Sequence, residues 1–203
     1  MLKENYQYTL SNDLGVGLMK SQYKLNDGRN FVIRKALPSD AQAIIDYTNS
    51  VSGESDNLTF GPGEFEITYE QEMEFIEKVA QSDNSMMLLG LCENRIVSVL
   101  NLSGMARPRV HHFAEIGITV LKSHWHLGIG RIMMQHSENV AQLEGVIRRI
   151  HLKVRTDNEH AVALYKKMGY EIEGCIKRQF LFIEEDGKEV FVDVFAMGKN
   201  LDS

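Results

Sequence analysis

The sequence predicts a mixed α/β domain, a central sheet flanked by helices. Three observations carry this. Short apolar runs with strand-like alternation interleave with stretches of helical spacing. From residue 31 onward their order reads βααβββαβαββ. A glycine-containing turn, Gly128-Ile129-Gly130, sits between a strand and the longest helical stretch. With 43% apolar residues among 203, a sizeable core can form. The net charge of −6 speaks against a nucleic-acid binder, which would carry a basic footprint.

The elements follow in order. Residues 1–30 read as a separate, hairpin-like extension: Tyr6, Tyr8 and Leu10 alternate, Leu18 to Leu25 forms a partner strand, and Asn26-Asp27-Gly28 ends it. Residues 31–203 form the main domain. Phe31 to Ala36 is a strand. Ser39 with Gln42 reads as a capping box, followed by Ala41, Ile44, Ile45, Thr48 and Val51 at helical spacing. Ser52 to Ile67 is a loop. Thr68 with Gln71 is a second capping box, and Tyr69, Met73, Ile76 and Ala80 give the next apolar stripe.

Met86 to Cys92, Ile96 to Leu102 and Ala114 to Leu121 are strands. Gly128 to Val146 is an amphipathic helix with Ile129, Ile132, Met133, His136, Val140 and Leu143 on one side. His151 to Val154 is a short strand. Thr156 with Glu159 starts a helix that runs to Met168, where Gly169 suits a left-handed end. Glu171 to Ile183 and Val190 to Met197 close the chain, with a turn at Asp186-Gly187.

Cys92 and Cys175, two cysteines in a chain of this size, read as reduced thiols of a cytoplasmic protein. The first twenty residues lack the apolar run of a signal peptide, and no run of 18 apolar residues suggests a membrane span. His111-His112 and His124-x-His126 lack an obvious third ligand, so no metal is expected. A homodimer is compatible with the sequence.

The turn from His124 to Arg131 carries the first chemical signal. A helix start offers unpaired N–H groups and a partial positive charge, which suit phosphate. No Asp or Glu occurs from Lys122 to Ser137, and no Asn, Asp, Ser or Thr is placed to cap a helix starting near Gly128. An isolated G-x-G is more often a plain solvated turn. It is no P-loop, because Gly-Lys-Ser/Thr is absent. The second signal runs from Asn158 to Tyr170. Helical spacing puts Ala161, Leu164, Tyr165 and Met168 on one face. Alone, Tyr165 reads as a core aromatic.

Together, the two segments resemble the GCN5-related N-acetyltransferase (GNAT) superfamily. That family's pyrophosphate motif is Gln/Arg-x-x-Gly-x-Gly/Ala, and here Trp125-His126-Leu127-Gly128-Ile129-Gly130 stands in its place, with Trp125 departing from the pattern. The second motif, Asn-x-x-Ala-x-x-Leu-Tyr-x-x-x-Gly-Phe/Tyr, matches from Asn158 to Tyr170. The resemblance implies two central parallel strands that splay apart, Ala114–Leu121 and His151–Val154, with acetyl-CoA as cosubstrate. It implies a pantetheine arm paired with backbone near Ile118, Thr119 and Val120. It implies a pyrophosphate resting on the amides of His126, Leu127, Gly128, Ile129, Gly130 and Arg131, with Asn158 also on the cofactor side. It also implies a β-bulge, which Gly117 would accommodate.

The implied chemistry is direct acetyl transfer to an amine. Deprotonating a lysine-like amine at neutral pH costs about 4–5 kcal/mol, so a base matters. On the resemblance, Glu115 is the candidate base, a strand amide near Gly117 or Ile118 the oxyanion donor, and Tyr165 the group that protonates the leaving thiolate. Cys175 has no histidine in view and is not a nucleophile candidate. Alternatives are a protein N-terminal or ribosomal-protein acetyltransferase, a non-catalytic acyl-CoA sensor and a nucleotide binder.

The acceptor signal is electrostatic. From Ala36 to Glu77 there is no Lys, Arg or His, and the ten acids are Asp40, Asp46, Glu54, Asp56, Glu64, Glu66, Glu70, Glu72, Glu74 and Glu77. Helix N-termini and solvated faces account for some of them. The loop acids, Glu54 and Asp56 foremost, suit attraction of a cationic amine.

Overall fold

The computed structural model describes residues 20–184 and 186–202. Among the described residues, eight strands form one sheet: β1 (Ser21–Lys24), β2 (Asn30–Lys35), β3 (Met86–Cys92), β4 (Arg95–Gly104), β5 (Phe113–Val120), β6 (Arg149–Arg155), β7 (Glu171–Ile183) and β8 (Glu189–Asn200). Their spatial order is β1-β2-β3-β4-β5-β6-β8-β7. Every neighbouring pair is antiparallel except β5 and β6, which run parallel. Four α-helices among the described residues connect them: α1 (Ala41–Ser52), α2 (Tyr69–Ala80), α3 (Ile129–Glu144) and α4 (Glu159–Lys167). The element order expected from residue 31 onward is the one observed.

Strand periodicity divides the core into two layers. Every residue of β3 is buried. Met86 and Leu88 join the cluster that holds Ile129 and Met133 of α3 and Val162 of α4. Met87, Leu89 and Leu91 join the cluster that holds Ile44 and Val51 of α1 and Ile76 of α2. Alternate side chains of one strand thus feed opposite faces, and helices cover both.

Several local expectations hold. Thr68 and Gln71 form the reciprocal cap of α2: the Gln71 amide donates to Thr68 Oγ1 at 3.2 Å and the Thr68 amide to Gln71 Oε1 at 2.9 Å. Gly169 has φ 88°, the left-handed exit foreseen for α4.

Others are corrected. The Ser39–Gln42 box does not form. Asp40 is the acceptor instead, taking the Leu37 amide at 2.8 Å while both its oxygens bind the Arg34 guanidinium at 2.6 and 2.8 Å. A charge-assisted pair wins over a neutral box. Asn158 rather than Thr156 caps α4, its Oδ1 accepting from the Ala161 amide at 3.2 Å. Leu143 is 82% exposed, because the buried arc of α3 centres on Met133, Ser137 and Ala141 and leaves Leu143 at its edge. Of the expected α2 stripe, Ile76 is buried and Met73 packs against the same cluster, whereas Tyr69 and Ala80 are exposed and the buried Glu72 joins the inner face.

Tyr6, Tyr8 and Leu10 lie outside the described residues. Ser21–Lys24 pairs with β2, from Ser21 opposite Ile33 to Lys24 opposite Asn30, and the turn at Gly28 has φ 86°. That turn reaches the start of α3: the Asn26 amide donates to the Leu127 carbonyl at 3.3 Å.

Candidate active site

The sheet opens between its two parallel strands. β5 and β6 pair only from Phe113 opposite Arg149 to Glu115 opposite His151. Beyond that point β5 stays bonded to β4 as far as Val120, and β6 to β8 as far as Arg155. Each strand follows its antiparallel partner, so the two part into a V. The expected splay is present. A cleft of about 350 Å³ lies there, walled by Ile116–Thr119 of β5, Leu152–Arg155 of β6, Tyr165 of α4, and α1, α2 and the loop between them.

Register decides which backbone groups face the gap. The Leu121 amide bonds the Val97 carbonyl at 3.0 Å, and the β4–β5 register is unbroken from Ser98 opposite Val120 to Gly104 opposite Ala114. Antiparallel alternation then turns the main chain of Gly117 and Thr119 toward β4, and that of Ile118 and Val120 toward the gap. Two expectations change. No bulge occurs at Gly117, because the register does not slip there. Thr119 offers no main-chain group to a ligand in the gap; its hydroxyl instead meets Tyr47 Oη at 2.9 Å. The Val120 carbonyl accepts the Trp125 indole N–H at 2.7 Å, which ties the end of β5 to the turn before α3.

That turn is an open helix start. Gly128 is the N-cap of α3 with φ 86° and ψ 1°, and no side chain among the described residues caps the helix. His126 also has positive φ, 62°. The amides of Ile129 and Gly130 precede the first intrahelical donor, the Ile132 amide, which bonds the Gly128 carbonyl at 3.0 Å, so they are orphan donors of the kind that bind anions. A Cβ on Gly130 would meet Leu164 Cδ2 at 3.3 Å, so α4 packs close beside this start. The His126 ring lies edge-on to His160, with centroids 5.2 Å apart. An uncapped helix start beside an open V fits a diphosphate carrying an extended acyl-thiol arm.

Tyr165 lines the cleft, and its hydroxyl has no hydrogen-bond partner among the described residues. Burial pushes its pKa up to about 12, so the phenol stays protonated at neutral pH. Asn158 lines the same cleft, but its carboxamide oxygen is committed to capping α4.

The other acids fall elsewhere. Glu115 sits in the last paired position before the V opens, outside the cleft wall. Its side chain is 43% exposed, with Oε2 3.8 Å from His151 Nδ1. Glu54 accepts the Lys122 amide at 2.6 Å, so it braces the turn after β5. Asp56 borders an adjoining depression with Asp157 and His160, and its carbonyl takes the Arg155 guanidinium at 2.5 Å.

The cleft wall also holds polar side chains to which sequence reasoning gave no individual role, Glu72 and Asn101 among them. The signal for Glu72 is its spacing: it stands four residues before Ile76, on the inner face of α2. Among the described residues, no group of three or more His, Cys, Asp or Glu is arranged to hold a metal ion. Cys92 is buried, Cys175 is exposed, and both are free.

A sheet opened between two parallel strands, with an uncapped helix start at its mouth, defines the acyl-CoA-dependent transferases as a class. Residues 55–170 match the model of the acetyltransferase (GNAT) family. The chain is 31% identical over 124 residues to L-amino acid N-acetyltransferase AaaT of Escherichia coli (strain K12), spanning 61% of this chain and 73% of that protein. It is 38% identical over 58 residues to N-alpha-acetyltransferase 50 of Danio rerio, a match covering 29% of this chain and 34% of the relative. The solved structure of an acetyltransferase of the GNAT family from Streptococcus pneumoniae superposes with a TM-score of 0.78 at 35% identity, covering 84% of this chain and 98% of that one. A fold likeness at 14% identity and TM-score 0.70 covers 85% of this chain and 95% of yncA, a putative acetyltransferase from Salmonella typhimurium solved with its cofactor acetyl-CoA. The chain belongs to the GNAT family; it is an acetyltransferase, and acetyl-CoA is its cosubstrate.

Proposed function

We propose that the protein moves the acetyl group directly to the nitrogen of a small amine that approaches from the α1–α2 side of the sheet. One observation carries the reading: a single cleft runs along the open edge of β5, with Tyr165 on one wall and the acid-rich α1–α2 region on the other. In this reading residues 31–203 are the catalytic unit, working in the cytoplasm. The start of α3, from His126 to Arg131, holds the pyrophosphate. The Ile118 main chain pairs with the pantetheine arm and its amide faces the developing oxyanion. Tyr165 hands its proton to the departing sulfur, a transfer that favours a phenol kept neutral. Glu115, at the closed end of the V, acts on the amine through water.

The acids of the α1–α2 segment, with Glu54 and Asp56 at its rim, would concentrate a cationic acceptor. A second reading has its own support. Lys153 and Arg155 stand on the β6 wall, and a relative is named for L-amino acids. A zwitterion would present its ammonium to α2 and its carboxylate to Lys153. Turnover with spermidine, glucosamine and L-methionine, measured across a salt series, tests both. A cationic acceptor predicts spermidine or glucosamine as the best substrate, with a KM that rises with salt while that of acetyl-CoA changes less. It also predicts that Glu54→Gln with Asp56→Asn raises the acceptor KM. L-methionine as the best substrate, with an amine KM indifferent to both, selects the amino-acid reading.

A further inference from the structure

Glu72 is a carboxylate in an unusual place. It is 3% exposed, on the inner face of α2, and borders the cleft. No hydrogen bond or ion pair holds its side chain among the described residues. Across the same cleft, Asn101 of β4 presents a buried Oδ1 that also lacks a partner. Asn101 pairs with Gly117, on the sheet face where Met87 and Val99 meet α1 and α2. A Cβ added to Gly117 would meet nothing within 4 Å, so space lies open before that backbone. Two buried acceptors without donors, facing one cavity beside the strand that carries the acyl group, lack a donor with several hydrogens. An ammonium has three.

We infer that Glu72 and Asn101 form the receiving site for the acceptor's ammonium, and that Glu72 removes its proton. This rests on the amine reading above and deepens it, moving the base for the amine from Glu115, outside the cleft wall, to Glu72 within it. Glu72 takes one proton from the ammonium, and the freed nitrogen lone pair forms the C–N bond as the thioester C–S bond breaks. Tyr165 gives its proton to the sulfur and regains one from the nitrogen. The proton on Glu72 then leaves to solvent, so the balance is one amide, one thiol and one released proton.

The surroundings leave this carboxylate to the substrate. The charged or titratable groups of the cleft wall besides Glu72 are Lys153 and Arg155 from β6 and Tyr165 from α4. Arg155 is committed to Asp157 at 2.7 and 2.9 Å and to the Asp56 carbonyl. The wall residues from α1, β3, β4 and β5 carry no charge. Burial raises the pKa of this carboxyl, which makes its ionised form a stronger proton acceptor. Its sign is also a signature. A carboxyl whose folded pKa is raised contributes stability below its unfolded pKa and loses it as pH rises through the folded pKa. Once ionised, its charge therefore opposes folding, and replacing it with a neutral side chain should leave the fold as stable or more so.

The test compares wild type, Glu72→Gln, Glu72→Asp and Glu115→Gln at saturating acetyl-CoA, using whichever of spermidine, glucosamine or L-methionine wild type acetylates fastest. Glu72→Gln is expected to lower kcat/KM for the amine about 100-fold, change the KM of acetyl-CoA less than about twofold and abolish the acid limb of the pH profile. Glu72→Asp should recover part of the rate, and the Tm of Glu72→Gln at neutral pH should not fall. An amine kcat/KM within about twofold of wild type, with the acid limb kept or lost only in Glu115→Gln, would overturn the assignment. So would a lower Tm for Glu72→Gln with an unchanged pH profile, which marks a structural carboxylate. A wild type that acetylates none of the three amines would instead sink the small-amine reading, and this inference with it.

Discussion

Replacing Gly130 with valine is expected to weaken acetyl-CoA binding by about 100-fold, near 3 kcal/mol, while the fold survives. The two effects have different sizes. Even the first added carbon would meet Leu164 Cδ2 at 3.3 Å, and overpacking of that kind costs about 1–3 kcal/mol. A domain of this size holds roughly 5–15 kcal/mol in reserve, so folding tolerates the change. Binding should not, because the β-branched side chain would press α4 away from the helix start whose orphan amides are proposed to hold the phosphates. Circular dichroism and calorimetry on the same sample separate the two. Unchanged affinity would move the phosphate site away from α3.

Tyr165→Phe should lower kcat about 100-fold and leave the KM of acetyl-CoA within about threefold. The ring still fills its place against Tyr170, whose centroid lies 6.1 Å away, so packing changes little. What disappears is a proton held at neutral pH by a phenol pushed up to about 12. That proton matters as sulfur becomes anionic and hardly at all in the ground state, so the loss falls on kcat. Steady-state rates, with burst kinetics to confirm that chemistry limits turnover, decide it. An unchanged kcat would return Tyr165 to the role of core aromatic.

The elements that sequence reasoning placed well share a physical trait: one local signal with no rival. Gly169 had no competitor for the left-handed exit of α4, and Thr68–Gln71 met no stronger acceptor. Where two signals overlapped, the stronger chemistry won. Asp40 displaced Ser39 because its carboxylate also engages Arg34, and Asn158 displaced Thr156 two residues away. The sense of the β5 main chain depends on pairing register, which no residue of β5 announces, so Thr119 was placed beside Ile118 and Val120 although it faces β4.

The site shows the same division. The helix start and Tyr165 were legible because a glycine turn without acids and an Asn-to-Tyr motif are local patterns. Glu72 was counted among ten acids and read as part of a solvated or guiding charge. Its position relative to Ile76 puts it on the buried face of α2, but the acids around it mask that period. Glu54 shows the reverse: a loop acid that suggests a substrate contact has its carboxylate on the Lys122 amide, so only its charge can act on a substrate, from a distance.

The central claim, that the V between β5 and β6 holds an acyl-pantetheine arm while the start of α3 holds its phosphates, is tested most directly by comparing acetyl-CoA with ADP in thermal melts backed by calorimetry. ADP carries the diphosphate without the arm. Acetyl-CoA at about 100 times its Kd should stabilise the protein by about 2.7 kcal/mol, and ADP at the same concentration should stabilise it much less. Equal stabilisation by the two would contradict the account, because the cleft would then contribute nothing to binding.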